Sequence, residues 1–584
     1  MKVVFAFIFM LSCALTVKAQ RDTSITLSQS AEFTGNLRLF LRDANKLSTQ
    51  PLVKEQIAEM TSVRYTTLPT RKVSLIDPKL IPAAKINVDE KLSKLYRGYF
   101  KGGYGTYFTP LVDAYFTDGR SKKGTYGVHY KHLSSAGAVT PNDEDSIPDH
   151  YSDNKVEVWG KYFLKNGALN GSLNWERNVS HWYGFDQTLF KDSLPKLQMD
   201  SLKQRMNTIG GSVGYRTANR DSADLNLAFD LGLRNTTDLY DGKETFVDFT
   251  ARGSKLINTE LFSGEFGINY NNFNSIGPKV LATGIIYDAA DSVIQNRGQD
   301  NAIIRLIPMA HTVWRELRAK VGMGLYIEAR GENPGHFYPL AEVSYNMFKG
   351  IVVPYAGVRG STDPTTYLGL YQENPFVVYN PTLRNRNNKL ELYAGLGGAI
   401  SKTVSYSAGI NSYSWANFAY FINDSLTSVG NRQLVIYDDL KAINIHGELA
   451  VYSGEKWKTN ARVDYFKYNS GNQDHAWHQP GLKVTASAQY NLKKKFSVST
   501  DLFYIGERWA KSNVMIQNIE PNDDGSYNIK LKGFLDANFK VEYRYNKRLS
   551  AWLQLNNTFA QRYQRYSGYN TQRLLAMMGA TYAF

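Results

Sequence analysis

Cysteine and long apolar runs are what this sequence of 584 residues lacks most. Its single cysteine, Cys13, lies close to the N-terminus, so the chain has neither an internal disulfide nor a zinc-thiolate site. After residue 20, no stretch approaches the run of about 18 consecutive apolar residues that indicates a membrane-spanning helix. These two absences exclude a disulfide-bonded scaffold and a helical membrane protein.

Catalytic signatures are also scarce. The metalloprotease motif His-Glu-x-x-His does not occur, and no nucleophile stands beside a base in a context that would activate it. We therefore predict that the protein is not an enzyme and that it carries no cofactor.

The first 19 residues have the features of a secretory signal peptide. Lys2 precedes the apolar run 3–15, and a compact segment ends at Ala19, which predicts cleavage between Ala19 and Gln20. The run of about 13 residues is shorter than the roughly 20 that a spanning helix needs. The alternative is a lipoprotein signal with Cys13 as the lipidated residue, although the residues before it fit such a signal poorly. We expect an exported protein whose mature chain has no cysteine.

Basic residues outnumber acidic ones. The chain has 68 Lys and Arg against 53 Asp and Glu, which gives a formal net charge of +15. Export makes nucleic acid an unsuitable partner for this charge. We expect the basic side chains to line an internal surface and to pair with lipopolysaccharide phosphates at a membrane rim.

Alternating polarity is the main feature from residue 96 onward. In 532–545, apolar residues such as Leu535 and Tyr543 share one face. A period of two residues indicates a strand. The opposite face is predicted to line a lumen and consists of Lys532, Asp536, Asn538, Lys540, Glu542 and Arg544.

The connections between these segments alternate in length. Short ones include 120–123, 314–316, 493–495 and 546–548, while long polar stretches separate them. Short periplasmic turns and long external loops are typical of outer-membrane β-barrels, which are also rich in interfacial aromatics. The chain contains 39 Tyr and 46 Gly. The sequence therefore predicts an all-β protein, a transmembrane antiparallel barrel of roughly 22 strands over 96–584.

The last residues alternate in the same way. Met578, Ala580, Tyr582 and Phe584 share one face, and the final residue is aromatic. This pattern is typical of the strand that closes an outer-membrane barrel. We expect these four residues to close the barrel and to be read by the barrel assembly machinery.

Several short motifs resemble those of the TonB-dependent-receptor-like outer-membrane barrels. They include 96–99, 103–105, 132–135, 563–569 and the closing 579–584. The resemblance extends over nearly all of the mature chain and implies the barrel fold. It also implies import of scarce ligands, such as chelated iron, vitamin B12 or oligosaccharides, with energy from an inner-membrane complex.

The segment 20–95 departs from that family pattern. The family's activity requires a plug domain of roughly a hundred-odd residues and an N-terminal box for the energy-transducing protein. Here about 76 residues precede the barrel and no such box is evident near Gln20. We expect no full plug domain. The segment is then a reduced plug in the lumen, a docking element for a periplasmic partner, or an extended periplasmic leader.

Two local clusters are candidates for binding. Asp474, His475 and His478 lie within one predicted external loop and form a weak candidate for a metal site. The alternative is a polar loop, which we favour. The aromatic segment 182–185 is either an exposed carbohydrate platform or part of an interfacial girdle.

These observations predict a transport protein of the cell outer membrane that passes or takes up a polar solute. The contacts expected are outer-membrane lipids, lipopolysaccharide and a periplasmic or surface lipoprotein. The alternative is a non-transporting structural or assembly subunit of an envelope complex. The absent plug favours this second interpretation.

Overall fold

The computed structural model describes residues 96–584 apart from several stretches. These are 119–120, 140–146, 185–201, 219–223, 277–278, 281–285, 288–295, 330–333, 425–427, 429, 455, 513–519 and 523–524. The predicted signal peptide (1–19) and the segment 20–95 lie outside the described residues, and so does the predicted cleavage point.

A single antiparallel sheet of 22 long strands closes on itself. Each strand pairs with the next one along the chain. The strands are β1 (Gly98–Gly105), β2 (Thr109–Thr117), β3 (Gly124–Ser135), β4 (Tyr151–Leu164), β5 (Gly167–His181), β6 (Lys203–Thr217), β7 (Asn226–Thr237), β8 (Lys243–Ile257), β9 (Glu260–Ile276), β10 (Asn296–Trp314), β11 (Leu317–Glu328), β12 (Gly335–Tyr345), β13 (Val353–Asp363), β14 (Arg386–Ser401), β15 (Val404–Asn423), β16 (Gln433–Ser453), β17 (Trp457–Ser470), β18 (Leu482–Leu492), β19 (Phe496–Ile505), β20 (Phe534–Arg544), β21 (Leu549–Asn556) and β22 (Leu575–Ala583).

The seam of the barrel lies between β1 and β22. Tyr99 pairs with Ala583, and Gly105 pairs with Met577. Beyond the ladder, Phe584 donates its backbone N–H to Gly98 at 3.0 Å and accepts from Arg97 at 2.7 Å. Closure leaves no sheet edge, which is what a sheet in lipid requires because every backbone polar group must find a partner.

The connections fall into two groups at opposite ends of the barrel. One end, called the short-turn end, carries the connections 118–123, 165–166, 218–225, 258–259, 315–316, 346–352, 402–403, 454–456, 493–495 and 545–548. The other, called the long-loop end, carries 106–108, 136–150, 182–202, 238–242, 277–295, 329–334, 364–385, 424–432, 471–481, 506–533 and 557–574. The four short connections predicted from the sequence all lie at the short-turn end.

The outer face of the sheet is apolar. In β6, Ile209 and Val213 are 64% and 57% exposed, whereas Thr208, which precedes Ile209 and points to the opposite face, is 2% exposed. Exposed apolar side chains alternating with buried polar ones are the pattern expected of a barrel whose outside contacts lipid.

Smaller elements lie in the connections. Helix α1 (Tyr367–Glu373) begins after Thr366, whose side chain accepts from the Gly369 N–H. A hairpin of Arg508–Ser512 and Tyr527–Leu531 stands at the long-loop end, and a 3-10 turn spans Phe348–Gly350. Two-residue ladders join Ala138–Val139 to Ile147–Pro148 and Lys279–Val280 to Ile286–Tyr287. Within the described residues, no helix has the length and apolar character to cross a membrane.

The sequence prediction of fold class is confirmed, and the predicted number of strands agrees with the 22 observed. The region around Thr109-Pro110, where alternation is hard to follow, contains a tight hairpin. Its turn is Thr106-Tyr107-Phe108, with Tyr107 and Phe108 both at positive φ (58° and 49°).

Candidate functional site: the inner wall and the loop cap

The inner wall between β7 and β10 carries a chain of paired charges. Arg252 binds Asp230 at 3.3 Å and Glu265 at 2.9 Å. Arg305 binds the other oxygen of Glu265 at 2.8 Å and donates to Thr250 at 2.7 Å. The register places Arg252 directly opposite Glu265, and it places Arg305 opposite Gly267, two residues from Glu265 along β9. The wall is highly polar, and its charges are mutually compensated.

A second network lies on β11 to β14. Arg359 and Glu391 form a two-point contact, with Nε to Oε2 at 2.7 Å and Nη2 to Oε1 at 2.6 Å. The Tyr393 hydroxyl donates to Glu342 at 2.9 Å, and Lys320 lies 3.3 Å from the same carboxylate. Two-point Arg–carboxylate pairs are the strongest and most directional of the side-chain ion pairs.

These two networks line one cavity of about 610 Å³ on the inner wall. Its charged lining consists of Arg216, Arg252, Glu265, Lys320, Glu342 and Arg359, and apolar side chains such as Ile307 and Met309 lie between them. The combination offers hydrogen-bond donors, acceptors and short apolar patches to a polar solute.

The residues predicted to face the lumen on β20 are distributed as follows. Asp536, Lys540 and Glu542 are buried, whereas Leu535 on the opposite face is exposed. The hydroxyl of Tyr563 donates to Asp536 at 3.4 Å, and the side chain of Asn538 accepts from the Asn557 N–H at 3.3 Å. Arg544 lies 3.7 Å from Glu542, and Lys532 is an exposed residue of the preceding connection rather than of the strand. A role for them in selecting a solute stays a prediction.

Helix α1 is bound to the inner side of the barrel mouth by a buried carboxylate. Glu244 of β8 accepts the N–H of Tyr367 at 2.6 Å and that of Leu368 at 3.1 Å. The Tyr367 ring packs on Phe273 of β9 with centroids 4.8 Å apart. Its hydroxyl donates to Asp238 at 2.8 Å. The first turn of α1 is thereby fixed to the strands, because its free N–H groups find carboxyl oxygens as acceptors.

The other end of α1 contacts loops from the far side of the ring. Tyr371 lies 3.2 Å from Ser180 of β5, and the Tyr566 hydroxyl donates to the Glu373 carbonyl at 2.8 Å. Tyr569 stacks on Phe376 with centroids 3.4 Å apart. The loop between β21 and β22 therefore touches the connection 364–385, which also contacts β5 and β8.

We call this packed set the loop cap, and it comprises the described parts of 182–202, 364–385, 424–432, 471–481 and 557–574. Hydrogen bonds join its members: Asn431 donates to the Trp182 carbonyl at 2.9 Å, and Tyr183 donates to that of Asn570 at 2.9 Å. Tyr569 donates to Asn431, and Ser567 donates to His478. Because these loops leave the ring at widely separated strands, the loop cap spans the mouth of the barrel.

A cationic centre lies inside the loop cap. The guanidinium of Arg432 stands 4.3 Å from the ring of Trp182, 5.2 Å from that of Tyr379 and 5.6 Å from that of Tyr240. Desolvated contacts of this kind contribute about 2 kcal/mol or more each. Trp182 is fully buried here. The sequence interpretation of 182–185 as an exposed platform is therefore wrong for Trp182, and Phe185 lies outside the described residues.

The weak metal candidates do not come together. The His475 ring stacks flat on Trp509 at 4.4 Å, and Asp474 accepts from Asn528 at 3.5 Å. His478 is buried and accepts from Ser567 at 3.2 Å. Burial and the nearby Arg508 lower the pKa of His478 to about 3, so its imidazole is neutral. Among the described residues there is no group of three or more His, Cys, Asp or Glu that could hold a metal ion.

The motif Gly-x-Ser-x-Gly occurs at 210–214, but its structural context is not that of a catalytic serine. It lies within β6 rather than at a turn between a strand and a helix. Ser212 contacts Ser172 of β5, with the two hydroxyl oxygens 2.8 Å apart. A nucleophile elbow requires that turn, so this serine is a wall residue.

Sequence reasoning missed Glu244 and Arg432. Both are single charged residues in otherwise ordinary segments, and the partners described above are distant in the sequence: Tyr367 for Glu244, and Trp182 and Tyr379 for Arg432. Alternation in β8 could have identified Glu244, because it places this residue on the same face of the sheet as the charged residues of the wall.

Solved structures share this architecture. The FrpB iron transporter of Neisseria meningitidis superposes with a TM-score of 0.62 at 10% identity, over 84% of this chain and 82% of that one. The pyoverdine receptor FpvA of Pseudomonas aeruginosa has a TM-score of 0.58 at 12% identity, over 84% and 78%. The siderophore receptor PiuA of Acinetobacter baumannii has a TM-score of 0.57 at 10% identity, over 83% and 82%.

Sequence comparison adds no relative: no family of sequences matches the chain, and neither does any curated protein. At identities this low, the structural likeness establishes the fold. The 22 antiparallel strands, closed between β1 and β22, are those of the barrel in the structures above. The chain has the fold of the TonB-dependent-receptor-like outer-membrane β-barrels.

Proposed function

We propose that the protein is an outer-membrane transport protein that passes or takes up a polar solute through its barrel. The observation that carries this proposal is the polar, charge-paired inner wall with its cavity of about 610 Å³ inside a barrel of receptor type. The structural neighbours are an iron transporter, a pyoverdine receptor and a siderophore receptor, which supports a transport role and leaves the solute open.

The loop cap makes this a gated passage rather than an open pore. Contacts across the mouth bury aromatic side chains from several loops, so passage requires the loop cap to move. Export by the predicted signal peptide, insertion by the barrel assembly machinery and contact with lipopolysaccharide belong to the same proposal. A reduced plug in 20–95 and a lipoprotein partner are further parts of it.

The test is single-channel conductance in planar bilayers with potassium chloride. The full chain should be silent. Replacing 364–385, which includes α1, by a short Gly-Ser linker should give steady conductance of nanosiemens order, because the span across the mouth is removed. Point variant Gln372→Ala, at an exposed position of α1, is the control and should stay silent.

A second variant separates the lumen from the mouth. It combines the 364–385 replacement with deletion of 20–95. Conductance only in this variant would assign 20–95 to the lumen as a plug. Silence in both variants would contradict solute passage and would favour the structural or assembly subunit.

A further inference from the structure

Exposed basic side chains are concentrated at the short-turn end. In the described parts of its connections, only Asp118, Asp224 and Glu316 are acidic. The exposed basic residues there are Lys122, Lys123, Lys165, Arg315, Lys349, Lys402, Lys456, Lys493, Lys494, Lys495, Lys547 and Arg548. Since the turns that carry them follow β2, β4, β10, β12, β14, β16, β18 and β20, the positive charge is distributed around most of the ring.

Large exposed aromatics accompany these basic residues. Trp314 is 66% exposed beside Arg315, Phe348 is 69% exposed beside Lys349, and Tyr545 is 67% exposed two residues before Lys547. Lys165, Lys456 and Lys495 have the same kind of neighbour in Phe163, Trp457 and Phe496. Aromatic belts mark the level of lipid headgroups, and basic side chains near them extend their charge into the headgroup layer.

Several basic residues elsewhere in the barrel have acidic partners. On the inner wall, Arg359 pairs with Glu391, and at the long-loop end Lys389 binds Asp439 at 2.8 Å and Lys530 binds Glu507 at 2.7 Å. Within the described part of the chain, Lys165, Arg315, Lys349, Lys495 and Lys547 form no ion pair. Their charge is available to an external anionic surface.

We propose that the short-turn end is a binding surface for anionic phospholipid headgroups, such as phosphatidylglycerol, in the periplasmic leaflet. This proposal rests on the outer-membrane location in the proposed function and on the orientation that the sequence predicts, with short turns at the periplasm. Lipid fits better than an acidic protein because the charge follows the whole circumference beside an aromatic belt, whereas a docked protein chain needs a local patch. The excess of positive charge in the sequence is partly explained by this ring.

The test measures lipid retention by the purified full chain in detergent micelles containing phosphatidylglycerol and phosphatidylethanolamine with matched acyl chains. Native mass spectrometry counts the bound lipids. Each basic residue near such a surface changes affinity by about fivefold. We expect phosphatidylglycerol to be enriched, and the triple variant Lys493→Gln, Lys494→Gln and Lys495→Gln to reduce the enrichment at least tenfold.

Two matched variants identify the cause. The Lys493→Arg, Lys494→Arg and Lys495→Arg triple keeps the charge and should keep the enrichment. The Lys441→Gln, Lys467→Gln and Lys532→Gln triple removes three exposed lysines toward the long-loop end and should change it less than twofold. A difference in migration between unheated and boiled samples on an SDS gel shows that each barrel is folded.

Equal retention of the two lipids by the unmodified chain would overturn the proposal. So would an equal loss in the Lys441, Lys467 and Lys532 variant. Binding of a polyglutamate peptide without lipid enrichment would assign the surface to an acidic protein partner instead. None of these measurements depends on conductance. The lipid result can therefore be interpreted even if the transport proposal fails.

Discussion

Glu373 is the acidic residue at the end of α1, inside the loop cap. Burial raises the pKa of its carboxyl to about 7, and Arg386 opposes this rise only in part. Tyr437 and Tyr566 are the other titratable side chains that interact with it. Because the folded pKa lies above the ordinary value near 4.5, the cap favours the protonated form.

The sign of the pH dependence follows from that shift. The stabilising contribution of protonated Glu373 is complete below about pH 4.5 and is lost as the pH rises toward 7, which changes the opening free energy by at most about 3 kcal/mol. We expect amide protection factors in 364–385, which correct for the base-catalysed rise of the intrinsic exchange rate, to be lower at pH 8 than at pH 5. Glu373→Gln should flatten this difference without removing it, because burial also raises the pKa of Asp238. A pH profile unchanged by Glu373→Gln would contradict the assignment.

The inner-wall residues show what a period of two can and cannot predict. Parity correctly separates exposed Leu535 from buried Asp536 and Lys540 in β20. It does not predict which charges meet, because Arg359 and Glu391 are 32 residues apart and meet only through the register of β13 with β14. The same limit applies to Asp474, His475 and His478, for which the sequence favours a polar loop over a metal site. Closeness in sequence did not bring their side chains together, since the rings are taken up by Trp509 and Ser567.

At the scale of elements, strands and turns are predictable and the loop cap is not. Most strands are indicated by alternating polarity, and turns such as 493–495 and 546–548 are indicated by short polar runs. Helix α1 has only seven residues inside a connection that reads as polar and irregular. Its position depends on Glu244, Phe273 and Ser180, which lie on three separate strands, and no local pattern encodes such contacts.

Helix α1 offers a direct test of the loop cap. Tyr371 is 4% exposed and contacts Ser180, whereas the adjacent Gln372 is exposed. Tyr371→Ala removes a buried ring, which costs about 3 kcal/mol, so the population of opened loop should rise up to roughly a hundredfold. Limited proteolysis within 364–385 should accelerate accordingly. Gln372→Ala should leave the cleavage rate within about twofold, and equal acceleration by both would show that α1 is not anchored through Tyr371.

At the scale of the whole barrel, closure depends on the close approach of β22 to β1. A Cβ placed at Gly579 would overlap the Gly102 carbonyl oxygen and approach Gly103 and the Trp552 ring. The neighbouring Ala580 is exposed on the outer face, where added apolar volume meets lipid. The seam should therefore tolerate a larger side chain at Ala580 but not at Gly579.

This difference predicts the behaviour of two matched variants. Gly579→Val should prevent pairing of β1 with β22 and leave two unpaired edges, which lipid does not tolerate. Unheated and boiled protein should then migrate alike on an SDS gel, and the amount of protein in the outer-membrane fraction should fall at least tenfold. Ala580→Val adds the same side chain one residue away and should assemble normally. If Gly579→Val assembled as well as Ala580→Val, the closed seam between the first and last strands would need a different register.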